Sequence, residues 1–251
     1  MSAFFIVLSG TISLVACQKL VDAGLATSIY SYPLLVEKVL GKKSRVILEI
    51  AIALTQFSFV ISHITFLIES CRGTIDNLFS VESSIAFYII AVCIIYTLLS
   101  WVRNLAKFSF TFIVGNVLII VAVIYVCVFA GKLFGEQGGK GPDLEFINTA
   151  GYMNTLGFSI YCYEGIGIVM PVLSTCEKPE RFKAMLTYAI ITLMILFVGF
   201  SEFCYMVWGS NLTEPIVTQM LPEDNVGVIL IKFLFSLNLI CSYPIMIYPA
   251  N

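Results

Sequence analysis

The sequence predicts an all-α protein: a polytopic membrane bundle of seven transmembrane helices. Three observations predict it. Of the 251 residues, 59% are apolar and 12% are charged, and the mean hydropathy is +0.96. A soluble domain averages about 45–50% apolar and about 25% charged, so this chain cannot stay dissolved as a globule. The apolar residues also fall into seven long runs, each near the roughly 20 residues that a helix needs to cross a hydrocarbon core about 30 Å thick. The runs are continuous rather than alternating with period two, which excludes the closed β-barrel, the other architecture that satisfies its backbone in lipid. Composition excludes a disordered chain and a disulfide-stapled secreted module. The net charge of −2, with no basic run, excludes a nucleic-acid binder.

The spans are read at 3–21, 46–69, 84–102, 106–131, 149–173, 184–208 and 226–249, all within one transmembrane domain, 1–251. Residues 22–45, 70–83, 174–183 and 209–225 link them, and a short turn from Arg103 to Lys107 joins the third span to the fourth. Residues 132–148 carry Gly135, Gly138, Gly139, Gly141 and Pro142, the composition of a flexible hydrophilic loop. No soluble domain fits between spans.

Basic residues set the orientation. Lys19, Lys38, Lys42, Lys43, Arg45, Arg103, Lys107, Lys178, Arg181 and Lys183 fall on one side, and Arg72, Lys132 and Lys140 on the other. The richer side is cytoplasmic, so the first span runs from outside to inside. The sequon Asn211-Leu212-Thr213 then lies outside, open to glycosylation. Met1 leads at once into Phe4, Phe5, Ile6 and Val7, with no basic stretch and no cleavage site of a secretory signal. A chain that opens on one span and stops on another reads as a fragment of something longer.

Six of the eight cysteines (Cys17, Cys93, Cys127, Cys162, Cys204 and Cys241) sit inside apolar runs, where cysteine behaves as a small apolar residue. There is no C-x-x-C and only one histidine, so no metal site is expected, and no cofactor. Nor is there a nucleophile elbow or phosphate loop, and an enzyme is not expected.

Ionisable groups at membrane depth are costly and are functional candidates by default. Glu164 lies mid-span in Tyr161-Cys162-Tyr163-Glu164-Gly165-Ile166-Gly167, with Pro171 shortly after. Two glycines and a proline weaken the helix there. Helices broken near the midplane form the binding sites of secondary transporters, because freed backbone groups coordinate substrate and ions. The alternative is a small-residue packing face with Glu164 bonded to a neighbouring helix. Gln56, Phe59 and His63 share one helical face, spaced i, i+3, i+7, which must point into the protein. His63 is either bonded within the bundle or part of a substrate or proton path. Glu202 and Lys232, each roughly 9 Å from the outer end of its span, are a candidate ion pair. Otherwise Lys232 snorkels to the interface.

These residues resemble the amino acid/auxin permease family. The resemblance rests on Gly157-Phe158-Ser159 and Tyr163-Glu164-Gly165-Ile166-Gly167 through Pro171, followed by Lys178-Pro179-Glu180-Arg181-Phe182. It is extended by Leu54-Thr55-Gln56-Phe57-Ser58-Phe59, by Leu99-Ser100-Trp101-Val102-Arg103-Asn104-Leu105, and by Lys232-Phe233-Leu234-Phe235-Ser236 with Ser242-Tyr243-Pro244. The resemblance implies a secondary active transporter of amino acids, coupled to protons or sodium, in a plasma or vacuolar/lysosomal membrane. It implies part of a five-plus-five inverted-repeat fold, with these spans as the family's second to eighth helices. It places substrate at Tyr161, Cys162, Tyr163, Glu164, Gly165 and Gly167, with Phe59 and His63 contributing from the helix equivalent to the family's third. His63 stands where relatives often have tyrosine. After Pro171, where relatives often carry acidic or amide groups, this chain has Leu173, Ser174 and Thr175. The rival reading is a seven-helix receptor, with Lys232 inviting a retinal Schiff base. Against it, Ser100-Trp101-Val102-Arg103-Asn104 lacks that class's acidic-Arg motif, and Lys232 is not mid-span.

Overall fold

The computed structural model describes residues 2–79, 84–101, 109–145, 151–212, 217–221 and 226–247. Among them the ordered elements are helices: α1 (Ser2–Thr27), α2 (Tyr32–Leu40), α3 (Lys42–Phe79), α4 (Ile85–Ser100), α5 (Ser109–Glu136), α6 (Tyr152–Tyr161), α7 (Ile166–Ser174), α8 (Pro179–Trp208) and α9 (Val226–Ile247). Short 3₁₀ turns cover Gly209–Asn211 and Val217–Met220. Six helical segments are long and apolar enough to cross a membrane, the α6–α7 stretch counted as one. The 16-residue α4 is equally apolar but shorter, so the described part of the third expected span falls below the usual length. Large apolar side chains left outside, such as Phe4, Ile47, Phe57, Ile90, Ile120 and Ile195, are those that lipid would solvate.

Helix ends carry conventional signals. Ser84 caps α4 by accepting from the Ala86 amide. Pro33 and Pro179 open α2 and α8, where a missing N–H costs nothing. The expected boundaries need three corrections. The 22–45 link is not all loop: α1 runs on to Thr27, and α2 fills most of the remainder. The 70–83 link is helical as far as Phe79, because Arg72 Nε meets Asp76 Oδ2 at 3.4 Å across one turn and Tyr88 Oη donates to Asp76 Oδ1 at 2.8 Å. The expected flexible loop at 132–148 is helix to Glu136, and beyond Lys140 it is docked. The Gly141 amide donates to the Met206 carbonyl, the Ser210 amide to the Pro142 carbonyl, and the Glu145 amide to Tyr205 Oη. Glycine is required at 141, where a Cβ would sit 2.6 Å from the Val207 carbonyl oxygen. The turn Arg103–Lys107, the stretch 146–150, Thr213 of the sequon and Pro249–Asn251 lie outside the described residues.

The chain divides into two compact units: residues 1–52 with 140–210, and residues 53–139 with 211–251. In the first, α1 packs on α6, α7 and α8 through a face of small residues: Ser9, Gly10, Ser13, Cys17 and Gly24. In lipid there is no hydrophobic drive between helices, so close backbone approach and polar contacts hold them together. Gln18 Nε2 donates to Thr187 Oγ1 at 2.9 Å, and Lys183 pairs with Asp22 at 2.7 Å. The core joins Leu20, Val21, Leu35, Val169, Met170, Leu173 and Phe182. In the second unit, α9 packs on α4 and α5 over a core that includes Leu67, Tyr88, Val92, Tyr96, Leu239 and Tyr243. Asn238 Nδ2 donates to the Gly115 carbonyl at 2.5 Å.

Candidate functional site: a broken helix and a buried histidine

The apolar segment 152–174 does not form one helix. It stops at Tyr161 and restarts at Ile166. Its last bonds tighten to the i, i+3 pattern, with the Tyr163 amide donating to the Ile160 carbonyl and the Glu164 amide to the Tyr161 carbonyl, both at 3.2 Å. The first amides of α7, at Ile166 and Gly167, have no carbonyl within their own helix to reach. The interruption precedes Pro171, which sits inside α7. A Cβ added at Gly165 would meet nothing within 4 Å, so open space borders the break.

Each side chain at the break has a distinct placement. Glu164 is half-buried, and among the described residues its carboxylate makes no hydrogen bond or ion pair. Tyr161 is half-buried and Cys162 exposed. Tyr163 turns into the packing: its ring stands edge-on to Phe197 at 5.8 Å and fills the gap left by Gly10, where a Cβ would lie 2.8 Å from Tyr163 Cζ. Ser13 Oγ donates to the Tyr163 carbonyl at 3.3 Å. Tyr163 Oη is the buried side-chain polar atom that lacks a hydrogen-bond partner among the described residues. Tyr163 therefore anchors the break to α1 and α8, while Glu164 and the α7 amides remain available.

Phe59 and His63 lie one turn apart on α3, in the second unit. Phe59 is half-buried and His63 fully buried. His63 Nδ1 is 2.9 Å from Tyr96 Oη, and Nε2 is 3.3 Å from Ser242 Oγ. Ser242 Oγ also donates to the Leu239 carbonyl at 3.1 Å, which uses its only proton. It must then accept from His63 Nε2–H, leaving bare Nδ1 to accept from Tyr96. This tautomer follows from the network and satisfies both ring nitrogens with a neutral imidazole. Tyr96 stacks on Tyr243 with centroids 3.9 Å apart. Lower on the same α3 face, Ser70 and Ser236 share a bond of 2.8 Å. Ser236 donates to the Lys232 carbonyl, so Ser70 is the donor between them.

The site residues therefore form two groups: Tyr161 to Gly167 on the break, and Phe59 with His63 on α3. Sequence reasoning missed Tyr96, Ser242 and Tyr243. Asking what hydroxyl a buried imidazole would find on neighbouring spans is the signal that finds them. Of the expected ion pair, Glu202 Oε1 accepts from Ser2 Oγ at 2.9 Å and from the Ala3 amide at 3.3 Å, all within the first unit. Lys232 is buried in the second. Among the described residues no three His, Cys, Asp or Glu side chains are grouped to hold a metal.

Comparison with known proteins bears on this arrangement. No solved structure matches the chain. Vacuolar amino acid transporter 4 of Saccharomyces cerevisiae is 28% identical over 235 residues, covering 92% of this chain and 33% of the relative. Vacuolar amino acid transporter 3 of the same yeast is 26% identical over 213 residues, covering 84% and 31%. Amino acid transporter AVT3A of Arabidopsis thaliana is 24% identical over 239 residues, covering 93% and 54%. The chain thus spans about a third of the length of the yeast relatives. The receptor alternative finds no support among them. The profile of the family described as "Transmembrane amino acid transporter protein" matches residues 1–251 from end to end, and the chain belongs to that family.

Proposed function

We propose that this chain carries the substrate site of a secondary active transporter that moves amino acids across a membrane, and that the α6–α7 break is that site. One observation carries the reading: a membrane-length apolar segment is interrupted at Cys162–Gly165, beside a half-buried carboxylate with no partner among the described residues. A break at membrane depth leaves amide donors on one half-helix and carbonyl acceptors on the other. An amino acid in its zwitterionic form offers the complementary pair, a carboxylate for the amides of Ile166 and Gly167 and an ammonium for carbonyls and Glu164. Tyr161, Cys162, Gly165 and Gly167 would border the ligand, with Tyr163 holding the break in place. Phe59 and His63, on α3 of the second unit, are proposed to serve transport by holding α3 against its own neighbours, His63 through its contacts with Tyr96 and Ser242.

The relatives' names support a vacuolar membrane as the place of action. Transport is coupled to a proton or sodium gradient, and residues 1–251 act as one transmembrane domain. Asn211 is exposed on the 3₁₀ turn after α8, where glycosylation would report the outer face. The test is uptake of radiolabelled amino acids into vesicles bearing the natural gene product, with a pH gradient, a sodium gradient or neither. Gradient-dependent accumulation supports the proposal. Equal counts in empty vesicles under all three conditions would refute it.

A further inference from the structure

The link between α1 and α3 joins two spans, so it lies at a membrane surface. Its helix α2 is fixed to the protein by one side, with Leu35 buried in the core and Tyr32 packed beside it. Part of its apolar surface is uncovered. Leu34 is exposed, and Val39 and Leu40, at its C-terminal end, are each 68% exposed. Gly41, at a φ of +86°, then turns the chain within one residue, and Lys42 and Lys43 begin α3. A positive φ combined with its ψ of 173° is readily available to glycine alone.

The charges at this corner do not balance. Both nearby carboxylates, Glu37 and Glu49, are taken by Arg45, each at 2.7 Å. Lys38, Lys42 and Lys43 are exposed and form no ion pair among the described residues. Three lysines without an ion pair among the described residues, at a corner where four cations face two carboxylates, therefore lie beside exposed apolar residues in a link between two spans. Lysine stems lie along apolar surface while their charges reach polar groups. Clustered lysines beside a span attract anionic leaflets.

We propose that the α2–α3 corner binds anionic phospholipid of the leaflet it faces. Lys38, Lys42 and Lys43 hold the headgroup phosphates, and Leu34, Val39 and Leu40 enter the upper acyl region. This stands independently of the transport reading. An acidic protein segment would explain the lysines, but not the exposed apolar residues among them at the surface of two spans.

The test titrates the purified natural gene product in detergent with phosphatidylserine and phosphatidylcholine, and reads bound lipid by native mass spectrometry. Phosphatidylserine is expected to be retained several-fold over phosphatidylcholine, with the preference falling as salt rises. The K38Q/K42Q/K43Q variant should lose most of that preference at unchanged Tm, since it alters only exposed side chains. The L34S/V39S/L40S variant should retain less of both lipids. K178Q/R181Q, which removes basic residues from another link expected on the same side (174–183), should behave as the parent. The proposal is overturned if the triple lysine variant keeps the parent's preference, or if K178Q/R181Q loses as much. It is also overturned if glycerophosphoserine, the headgroup without chains, displaces the lipid at equal concentration, because that marks a soluble-anion site.

Discussion

The α6–α7 break and the polar face of α3 both put polar groups at membrane depth, in opposite ways. On α3 the needs are met. His63 has a hydroxyl at each ring nitrogen, and Ser70 and Ser236 bond in a chain that ends on a carbonyl. At the break they are not: the leading amides of α7 have no helical acceptor, and Glu164 has no partner among the described residues. A satisfied polar network in lipid fixes helices relative to one another. An unsatisfied one has value only if something else arrives to satisfy it. Residue type alone would rank His63 and Glu164 together, but their hydrogen bonds separate them.

The largest expected effect breaks the comparison at Glu164. Glu164→Gln keeps the volume and removes the charge, so uptake should fall by at least about tenfold, equivalent to about 1.4 kcal/mol of barrier, while Tm stays at the parent value. Uptake at the parent rate in a correctly inserted variant would place Glu164 outside the site.

On α3 the order is reversed. His63→Phe strips Tyr96 Oη of its acceptor in a buried setting, which costs about 1–3 kcal/mol. Thermal unfolding should show that loss, whereas uptake per folded molecule should change less than in Glu164→Gln. A variant with normal Tm and abolished uptake would move His63 from the knot to the ligand.

Gly10→Ala sharpens the role of Tyr163. Its new methyl would sit 2.8 Å from both the Met194 methyl and Tyr163 Cζ. The methionine can swing aside but the ring cannot, so overpacking should cost about 1–2 kcal/mol, read by unfolding. Uptake should fall with it, because the ring anchors the break. The smallest effect belongs to Arg45. Hydrogen bonds to Glu37, then Glu49, hold its guanidinium above its ordinary range. A raised folded-state value means its contribution is fully present below the unfolded value, far above neutrality, so titration of Arg45 itself changes nothing around neutral pH. Arg45→Gln should leave Tm unchanged within error at high salt, as expected for an exposed pair. A large loss there would mean that the corner is structural.

Much of this was legible in the sequence. Seven apolar runs located the spans, and the glycines around Glu164 located the break, because composition and local backbone weakness are local properties. What stayed hidden depends on contacts between distant residues. The nine-residue α2 is too short for its apolar stripe to stand out within the 22–45 link. The polar end of α3 reads as loop until Asp76 is seen to meet Arg72 and Tyr88. Gly141 and Pro142 look like a flexible loop until they are seen bonded to the end of α8. The hydroxyl partners of His63 come from two other helices, at positions that no spacing rule connects to it.

The central claim is that substrate occupies the α6–α7 break, and the most direct measurement is photo-crosslinking. A diazirine analogue of a transported amino acid is bound to the purified natural gene product and irradiated, and the modified peptides are sequenced. The account predicts adducts within Tyr161–Gly167, suppressed by excess unlabelled substrate and lost in Glu164→Gln. Substrate-protected adducts found elsewhere, with residues 161–167 unmodified, would contradict it.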